Sequence, residues 1–594
     1  MGEGTPRGWG RRGRPPQGRR SAGDRWRLVP GENAIDAPQW AGGIPQQGGV
    51  APRLRLGRGR WFNLLWLLPL GLLALVVAVA AAKGLRTEPA VQQFIRTFPG
   101  TAAVSRSVAG LGFPWWLRWQ HFLNALFMVF IVRAGWQIVA DHPRLYWTRH
   151  STPGREWLRF QKPVPEDPLW TAKQDSIALP RHVGLPGLRH SIGLARWWHL
   201  SFDMLWLLNG ALFYGLISAT GQWQRIVPTS WQVFPQAASA LLQYLSLQWP
   251  ANHGWVAYNG LQLLAYFVTV FVAAPLALLT GLGMSPALSA RFRLVSSPLS
   301  IQVARSVHFL VMVWFVVFVA VHIGLVMSTG IQGNLNHIYT GVNSGGWAGV
   351  GLFCLSVLVV TAAWLVASPF TLRHPRAVQA MGQRLVGPLQ HLFEHLDPRP
   401  GQYSEKDISP YFWHNGQYPN SDEYRRLEAG SFAAYRLRIG GAVSQPQELD
   451  LDQIRALPFH QQITQHFCIQ GWSGVARWGG VAMSTIVELV QPDPEARWVA
   501  FYSLADGPDG GAYYDAHPIE HMRHHLTMLA YEMNGKPLSF GHGAPLRLRN
   551  ELELGFKQVK WIRSIEFLRH FSELGGGFGG YNEDHEFFGY RQTI

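Results

Sequence analysis

Six long apolar stretches, at about 61–82, 120–140, 199–219, 256–280, 306–327 and 347–367, decide most of what this 594-residue chain can become. Each approaches the roughly 20 residues that an α-helix needs to cross a bilayer. Residues 61–368 therefore read as an all-α transmembrane bundle of about six helices. Residues 405–594 read as a soluble domain, long enough to bury a core of its own. A basic linker at 369–404, with Pro369, Pro375, Pro388, Pro398 and Pro400, is expected between the two.

The formal charge of +16 is unevenly spread. Segment 1–60 alone holds twelve arginines among Gly and Pro, which reads as a disordered basic tail and not as a nucleic-acid module. With the N-terminus inside, the inner segments 1–60, 142–198 and 282–305 carry 12, 9 and 3 Lys+Arg. The outer ones, 84–117, 220–255 and 328–346, carry 3, 1 and 0. Cytoplasmic loops are the basic ones. A multi-pass protein of a bacterial inner membrane with a cytoplasmic C-terminal domain is expected, provided the first segment spans. The two cysteines, Cys354 in an apolar run and Cys468 in the soluble part, are poorly placed to pair, so no oxidising compartment is implied.

The soluble part mixes short β-like runs with turn signals and reads as α+β. Strands are expected at Tyr435–Ile439 and Arg497–Phe501, and one helix near 517–532. His521, His524 and His525 would then lie on a solvated helix face, with no metal assigned to them.

Four histidines, His121, His199, His308 and His322, fall within or at the edge of apolar stretches, where ionisable groups are costly and usually functional. His308 and His322 are 14 residues apart, close to four helical turns, so they share a face at a separation of roughly 21 Å. The alternation of helix direction then sorts the four into two pairs of equal depth: His199 with His308 inside, His121 with His322 outside. Imidazole pairs on facing helices suit axial ligation of iron. Arg118, Arg196 and Arg305 each precede a histidine by three residues, on the same helical face, where they could meet haem propionates.

This constellation resembles the di-haem cytochrome b subunits of respiratory formate dehydrogenases and nickel hydrogenases, over roughly 115–330. In that family the fourth helix of the unit carries two histidines 14 apart and the first two helices supply their partners. The resemblance implies two haems b and electron exchange with a quinone or quinol.

Cys468 has no CxxC partner and no second soluble cysteine beside it, so zinc and iron–sulfur sites are poorly supported. A nucleophile, or one thiolate on a metal whose other ligands come from a cofactor, stays open. Its surroundings carry a second resemblance. The run CIQGWSGVARWGG from Cys468 to Gly480 is similar to the molybdenum-cysteine segment of sulfite oxidase-fold proteins, in particular the branch with bacterial methionine-sulfoxide reductase catalytic subunits. YEMNGKPL (531–538), HGAPLR (542–547) and GFKQVKW (555–561) follow in the family's order.

The resemblance implies a molybdopterin cofactor with molybdenum on Cys468. By position, Asn415, Ser503, His542, Arg547, Gln558, Val559 and Lys560 would contact the pterin or its phosphate. Arg477 and Tyr514 are expected near the metal, where they could bind an oxyanion. Sulfite oxidases proper carry an arginine pair where this chain has Ser473 and Gly474, which argues against sulfite as substrate. The expected function is a membrane-bound molybdopterin oxidoreductase acting on a small substrate. The alternative is an electron conduit or redox sensor whose molybdopterin-like domain is not catalytic.

Overall fold

The structure, a computed structural model, describes residues 51–57, 59–101, 112–167, 170–185, 191–249, 255, 258–291, 299–394, 403–508 and 510–590. The disorder expected of the basic tail concerns residues that lie, up to 50, outside that set. The last residues of the 1–60 segment are ordered instead: Arg53–Arg55 (β1) pairs antiparallel with Trp61–Asn63 (β2).

Six helices among the described residues are long and apolar enough to span a bilayer. They are α1 (Leu67–Leu85), α2 (Trp115–Asp141), α3 (Ser191–Ala219), α4 (Gly260–Gly283), α5 (Ile301–Ser328) and α6 (Ala348–Arg373). They match the six stretches read from the sequence, and the chain is a multi-pass membrane protein. α2 packs on α3, and α5 on α4. Within α4, residues Val268–Ala273 widen into a π-helical turn. The cause is local: Pro275 has no N–H to donate back into the preceding turn, and Tyr214 Oη donates to the Val270 carbonyl instead (2.5 Å).

At the end of the bundle where α2 ends and α3 and α5 begin, β1 and β2 join Arg144–Leu145 (β3) and Leu158–Arg159 (β4) in a small sheet of order β2-β1-β4-β3. Arg144 anchors this loop region from a buried position, paired with Glu156 at 2.9 Å and Asp175 at 2.7 Å. A buried arginine of this kind is tolerated because each of its three nitrogens has a partner, in Asp175, Glu156 and the Lys162 carbonyl.

The linker expected at 369–404 is helical over its described part. α6 runs through Pro369, and α7 (Pro375–Glu394) contains Pro388. Pro375 opens α7, where a missing N–H costs nothing. The apolar side of α7 provides the rest, with Val378 and Val386 buried against Leu185, Leu194 and Trp197.

The C-terminal domain holds two five-stranded sheets among the described residues. One is built from Leu437–Gly441 (β5), Gln447–Leu449 (β6), Trp498–Asp506 (β9), Ala512–Pro518 (β10) and Ile562–Leu568 (β14). Its order is β10-β9-β14-β5-β6, with β5 and β14 parallel. The other joins Phe459–Phe467 (β7), Ser473–Ala482 (β8), Thr527–Met533 (β11) and Lys536–Pro537 (β12), with Arg547–Asn550 (β13) also on β11. Leu437, Phe501 and Ile565 meet Val481, Leu529 and Leu548 in one core. The strands expected at 435–439 and 497–501 are present as β5 and β9.

The helix expected at 517–532 is not. Only Ile519–Met522 is helical, and β11 follows. Pairing with β8 and β13 overrides the local pattern there. His521, His524 and His525 thus share no helix face. Among the described residues, no cluster of three or more His, Cys, Asp or Glu side chains could hold a metal ion.

Candidate functional site

The membrane histidines come together as two pairs. The His199 and His308 ring centres are 6.3 Å apart, as are those of His121 and His322. Metal–nitrogen bonds of roughly 2 Å on either side of one ion put two imidazole centres at about this separation. α4 supports both pairs. Thr280 Oγ1 lies 2.9 Å from His308 Nδ1, and Tyr266 Oη lies 3.5 Å from His322 Nδ1. His199 Nδ1 meets the Ile131 carbonyl at 3.1 Å. With Nδ1 engaged, the other ring nitrogen of His308 and of His322 is oriented for a ligand, while His199 Nε2 lies 3.6 Å from Asp203 Oδ2. Thr280 and Tyr266 are themselves 14 residues apart, the spacing of His308 and His322 repeated on the supporting helix. At Gly135 of α2 the backbone passes so close that a Cβ would stand 3.4 Å from His199 Cε1.

The arginines expected at propionates make the following contacts within the protein. Arg305 donates to the carbonyls of His142 (3.1 Å), Arg144 (3.4 Å) and Gly471 (3.0 Å), so it clamps the two domains together. Arg118 donates to the Tyr339 carbonyl at 3.2 Å, at the far end of the bundle. Arg196 is near enough to Cys468 for their charges to interact.

Cys468 sits where β7 turns into β8. The turn closes through Cys468 N to Trp472 O (3.0 Å) and Gly471 N to Cys468 O (2.9 Å). Gly471 has φ +103°, and a Cβ there would stand 3.0 Å from the Arg305 guanidinium carbon, so only glycine suits the position. The turn forms part of a cavity with about 1210 Å³ of atom-free space including its mouth and open solvent.

Asn415, Cys468, Ser503, His542, Arg547, Gln558, Val559 and Lys560 all line this cavity. Asn415 Nδ2 lies 3.5 Å from Cys468 Sγ. Ser503 Oγ donates to the Lys560 carbonyl at 2.7 Å, and Arg547 Nη1 to the His542 carbonyl at 3.0 Å. Lys560 Nζ donates to the carbonyls of Asn415 and Gly541.

The electrostatics favour an anion. Burial and the neighbouring Arg547 hold the Lys560 ammonium well below the usual lysine range. Burial, His414 and Arg547 push His542 down to about 2, so its ring is neutral. Burial pushes the Cys468 thiol up to about 12. A coordinating cation reverses that, because a thiol on a metal is deprotonated outright. Three buried donors on the cavity wall, Gln470 Nε2, Trp472 Nε1 and Arg547 Nε, make no hydrogen bond within the protein. Donors of this kind, beside one soft sulfur, fit an oxygen-rich anionic cofactor that brings its own metal.

Two expected residues do not reach the cavity. Arg477 turns outward from β8 to Glu405 at 2.7 Å. Tyr514 donates to Asp584 at 2.5 Å, and its neighbour Tyr513 lines the cavity in its place. Successive strand residues face opposite ways, so a shift of one position exchanges the two. The sequence reading also missed His466, Gln470, Asn582, Glu586 and Phe588 on the wall. Its most consequential omissions are Asp141, Lys173 and Ile192, which the membrane domain contributes.

Residues 426–574 match the family model for the oxidoreductase molybdopterin binding domain, and residues 112–341 match that for prokaryotic cytochrome b561. The chain joins a cytochrome b561-type membrane domain to a molybdopterin-binding oxidoreductase domain. Similar proteins include the "Putative protein-methionine-sulfoxide reductase subunit YedZ1" of Azospira oryzae, 34% identical over 31% of this chain and 63% of that protein. The protein-methionine-sulfoxide reductase catalytic subunit MsrP of Xanthomonas axonopodis pv. citri is 29% identical over 28% of this chain and 56% of that one. The chain thus spans less than two thirds of either relative. Among solved structures, the sulfane dehydrogenase SoxCD of Paracoccus pantotrophus aligns at 23% identity over 25% of this chain and 42% of that one, with a TM-score of 0.22.

Proposed function

We propose that this protein is a membrane-bound oxidoreductase in which a molybdenum centre on Cys468 exchanges electrons with two bis-histidine haems b, His199/His308 and His121/His322, and through them with a quinone or quinol. The observation that carries the reading is the seat of the Cys468 turn. The Gly471 carbonyl accepts from Arg305 Nη1 (3.0 Å) and Gln302 Nε2 (2.9 Å), one to two turns before His308 on the same helix. The metal-ligand loop of one domain therefore rests on the ligand helix of the other.

Molybdopterin supplies two-electron chemistry coupled to oxygen-atom transfer, and haems carry electrons singly. The chain's own residues then divide the work. Cys468 supplies the protein thiolate. Asn415, Ser503, His542, Arg547, Gln558, Val559 and Lys560 hold the pterin and its phosphate. The histidine pairs hold iron, supported by Thr280 and Tyr266. The relatives' names support S-oxides as the substrate class. In that reaction a sulfoxide takes up two electrons and two protons, its sulfur–oxygen bond breaks, and one sulfide and one water are released. Quinol is the electron donor. The soluble domain packs on the end of the bundle that carries the basic loops, which supports a cytoplasmic placement.

Metal analysis of the detergent-purified chain with haem spectroscopy tests the reading. About one molybdenum and two irons per chain, and reoxidation of dithionite-reduced haem by a sulfoxide such as dimethyl sulfoxide, are expected. Iron without molybdenum, from a host that makes the cofactor, would replace the enzyme with a conduit or sensor.

A further inference from the structure

One wall of the catalytic cavity is not built by the catalytic domain. Asp141 at the end of α2, Lys173 in the loop that follows and Ile192 at the start of α3 line it together with Cys468. That loop is held firmly in place. Ala172 N donates to the His414 carbonyl at 2.8 Å, and Trp170 and Ala172 are buried in the same apolar cluster as Phe412, Trp413 and Cys468. Lys173 Nζ donates to Asp141 Oδ1 at 2.8 Å, with side-chain exposures of only 13% and 3%.

A lysine that merely joined the domains would pair across their boundary. This one pairs within its own domain and leaves its charged end at the cavity. The soluble domain's cations are committed elsewhere. Arg547 and Lys560 belong to the phosphate-type set, and Arg477 is turned out to Glu405. Ser473 and Gly474, the positions at which sulfite oxidases carry arginines, are buried. Ser473 is bound to the membrane domain through Gln302 and Ser151, at 3.0 and 3.1 Å. An ammonium has three donors, and one is used on Asp141.

We propose that Lys173, aimed by Asp141, binds the substrate's oxygen, so that the membrane domain completes the active site of the soluble domain. The ligand class is a small molecule presenting a polarised or charged oxygen, such as an S-oxide or oxyanion. This rests on the oxidoreductase reading above.

The experiment uses the detergent-solubilised full chain, with inorganic sulfate as unreactive oxyanion and dimethyl sulfoxide as oxygen donor. In Lys173→Gln, the calorimetric Kd for sulfate and the KM for the sulfoxide should each rise about tenfold, the loss expected for a charge-assisted hydrogen bond. kcat should stay within about threefold, because an interaction made equally in ground and transition states moves KM alone. Molybdenum and haem content should not change, and Lys173→Arg should restore most of the affinity. Unchanged KM and sulfate Kd, with metals retained, would overturn the proposal and leave Lys173 as an ion-pair partner only.

Should Lys173→Gln lose molybdenum, Asp141→Asn decides. It keeps the lysine but releases its aim, so raised KM and Kd uphold the proposal and unchanged ones overturn it. A wild-type chain without molybdenum would defeat the oxidoreductase reading instead. The sulfate titration on that protein would still report on Lys173.

Discussion

Cys468 and the buried carboxylates behind the cavity make opposite demands at the scale of single residues. Cys468 is the one soft donor in a cavity wall that carries cations and N–H donors together with the carboxylates of Asp141, Asp506 and Glu586, so its loss should remove the metal and little else. Cys468→Ser should lower molybdenum content and sulfoxide turnover by at least about 100-fold, since even disturbing groups that merely orient a ligand costs about ten- to hundredfold. The haem spectrum should stay as in the wild type. A Ser variant retaining full molybdenum would remove Cys468 from the ligand set.

Behind the cavity, Asp515 and Glu583 share the buried Lys557 ammonium at 2.6 and 2.5 Å. Burial and the neighbouring Glu583 carboxylate hold Asp515 well above its ordinary 3.8, and burial, with a smaller push from Asp584, holds Glu583 above 4.5. A group raised on folding contributes stability fully below its unfolded pKa and loses it as pH rises toward the folded value. The pair's contribution is therefore complete near pH 4 and declines above that. Asp515→Asn removes one titrating member. The thermal midpoint of the variant, relative to wild type, should rise between about pH 5 and about pH 7. A difference that stays flat would mean both carboxylates are ionised throughout.

Among the elements, α7 shows where the sequence misled and why. Its prolines suggested a linker, but Pro375 sits where a helix accepts proline, and the apolar side of the helix is buried on α3. Gly382 makes that approach possible. A Cβ there would stand 2.5 Å from the Trp197 ring. Gly382→Val should destabilise the purified protein by about 1–3 kcal/mol, the usual cost of overpacking, read as a lower thermal midpoint. An unchanged midpoint would show that α7 is not firmly docked.

The histidine pairs were legible because a spacing of 14 converts directly into depth and face on a helix. Thr280 and Tyr266 were not, because their role depends on which helix packs beside α5. The region 517–532 failed for a related reason: its pattern was read locally, and strand pairing with β8 and β13 decided it. Tyr514 is the residue the sequence points to and Tyr513 the one that lines the cavity, an offset of one strand position to which period-two structure is most sensitive.

At the scale of the whole molecule, the contacts between the domains do more than hold them together. Arg305 was read from its spacing as a propionate partner, since i and i−3 share a helical face. Its partners here are three backbone carbonyls, including that of Gly471 in the other domain, and the side-chain oxygen of Gln302. Nothing local in the sequence announces such a contact, because it joins residues 166 positions apart. Gln302 adds a second bond to the same carbonyl and a third to Ser473. Together they fix the distance and orientation between the Cys468 turn and the His308 helix. Arg305→Gln combined with Gln302→Ala should therefore leave metal content and sulfoxide binding near wild type while slowing electron exchange between the two domains. Misplacing reacting groups by about 1 Å can cost about 100-fold, so stopped-flow reoxidation of the reduced haems by sulfoxide should slow by roughly ten- to hundredfold. If the haems instead lose their iron, Arg305 serves the haem directly, as its spacing suggested. If neither rate nor iron changes, the electron route leaves the molybdenum domain elsewhere, and the Cys468 turn is seated on α5 for structural reasons alone.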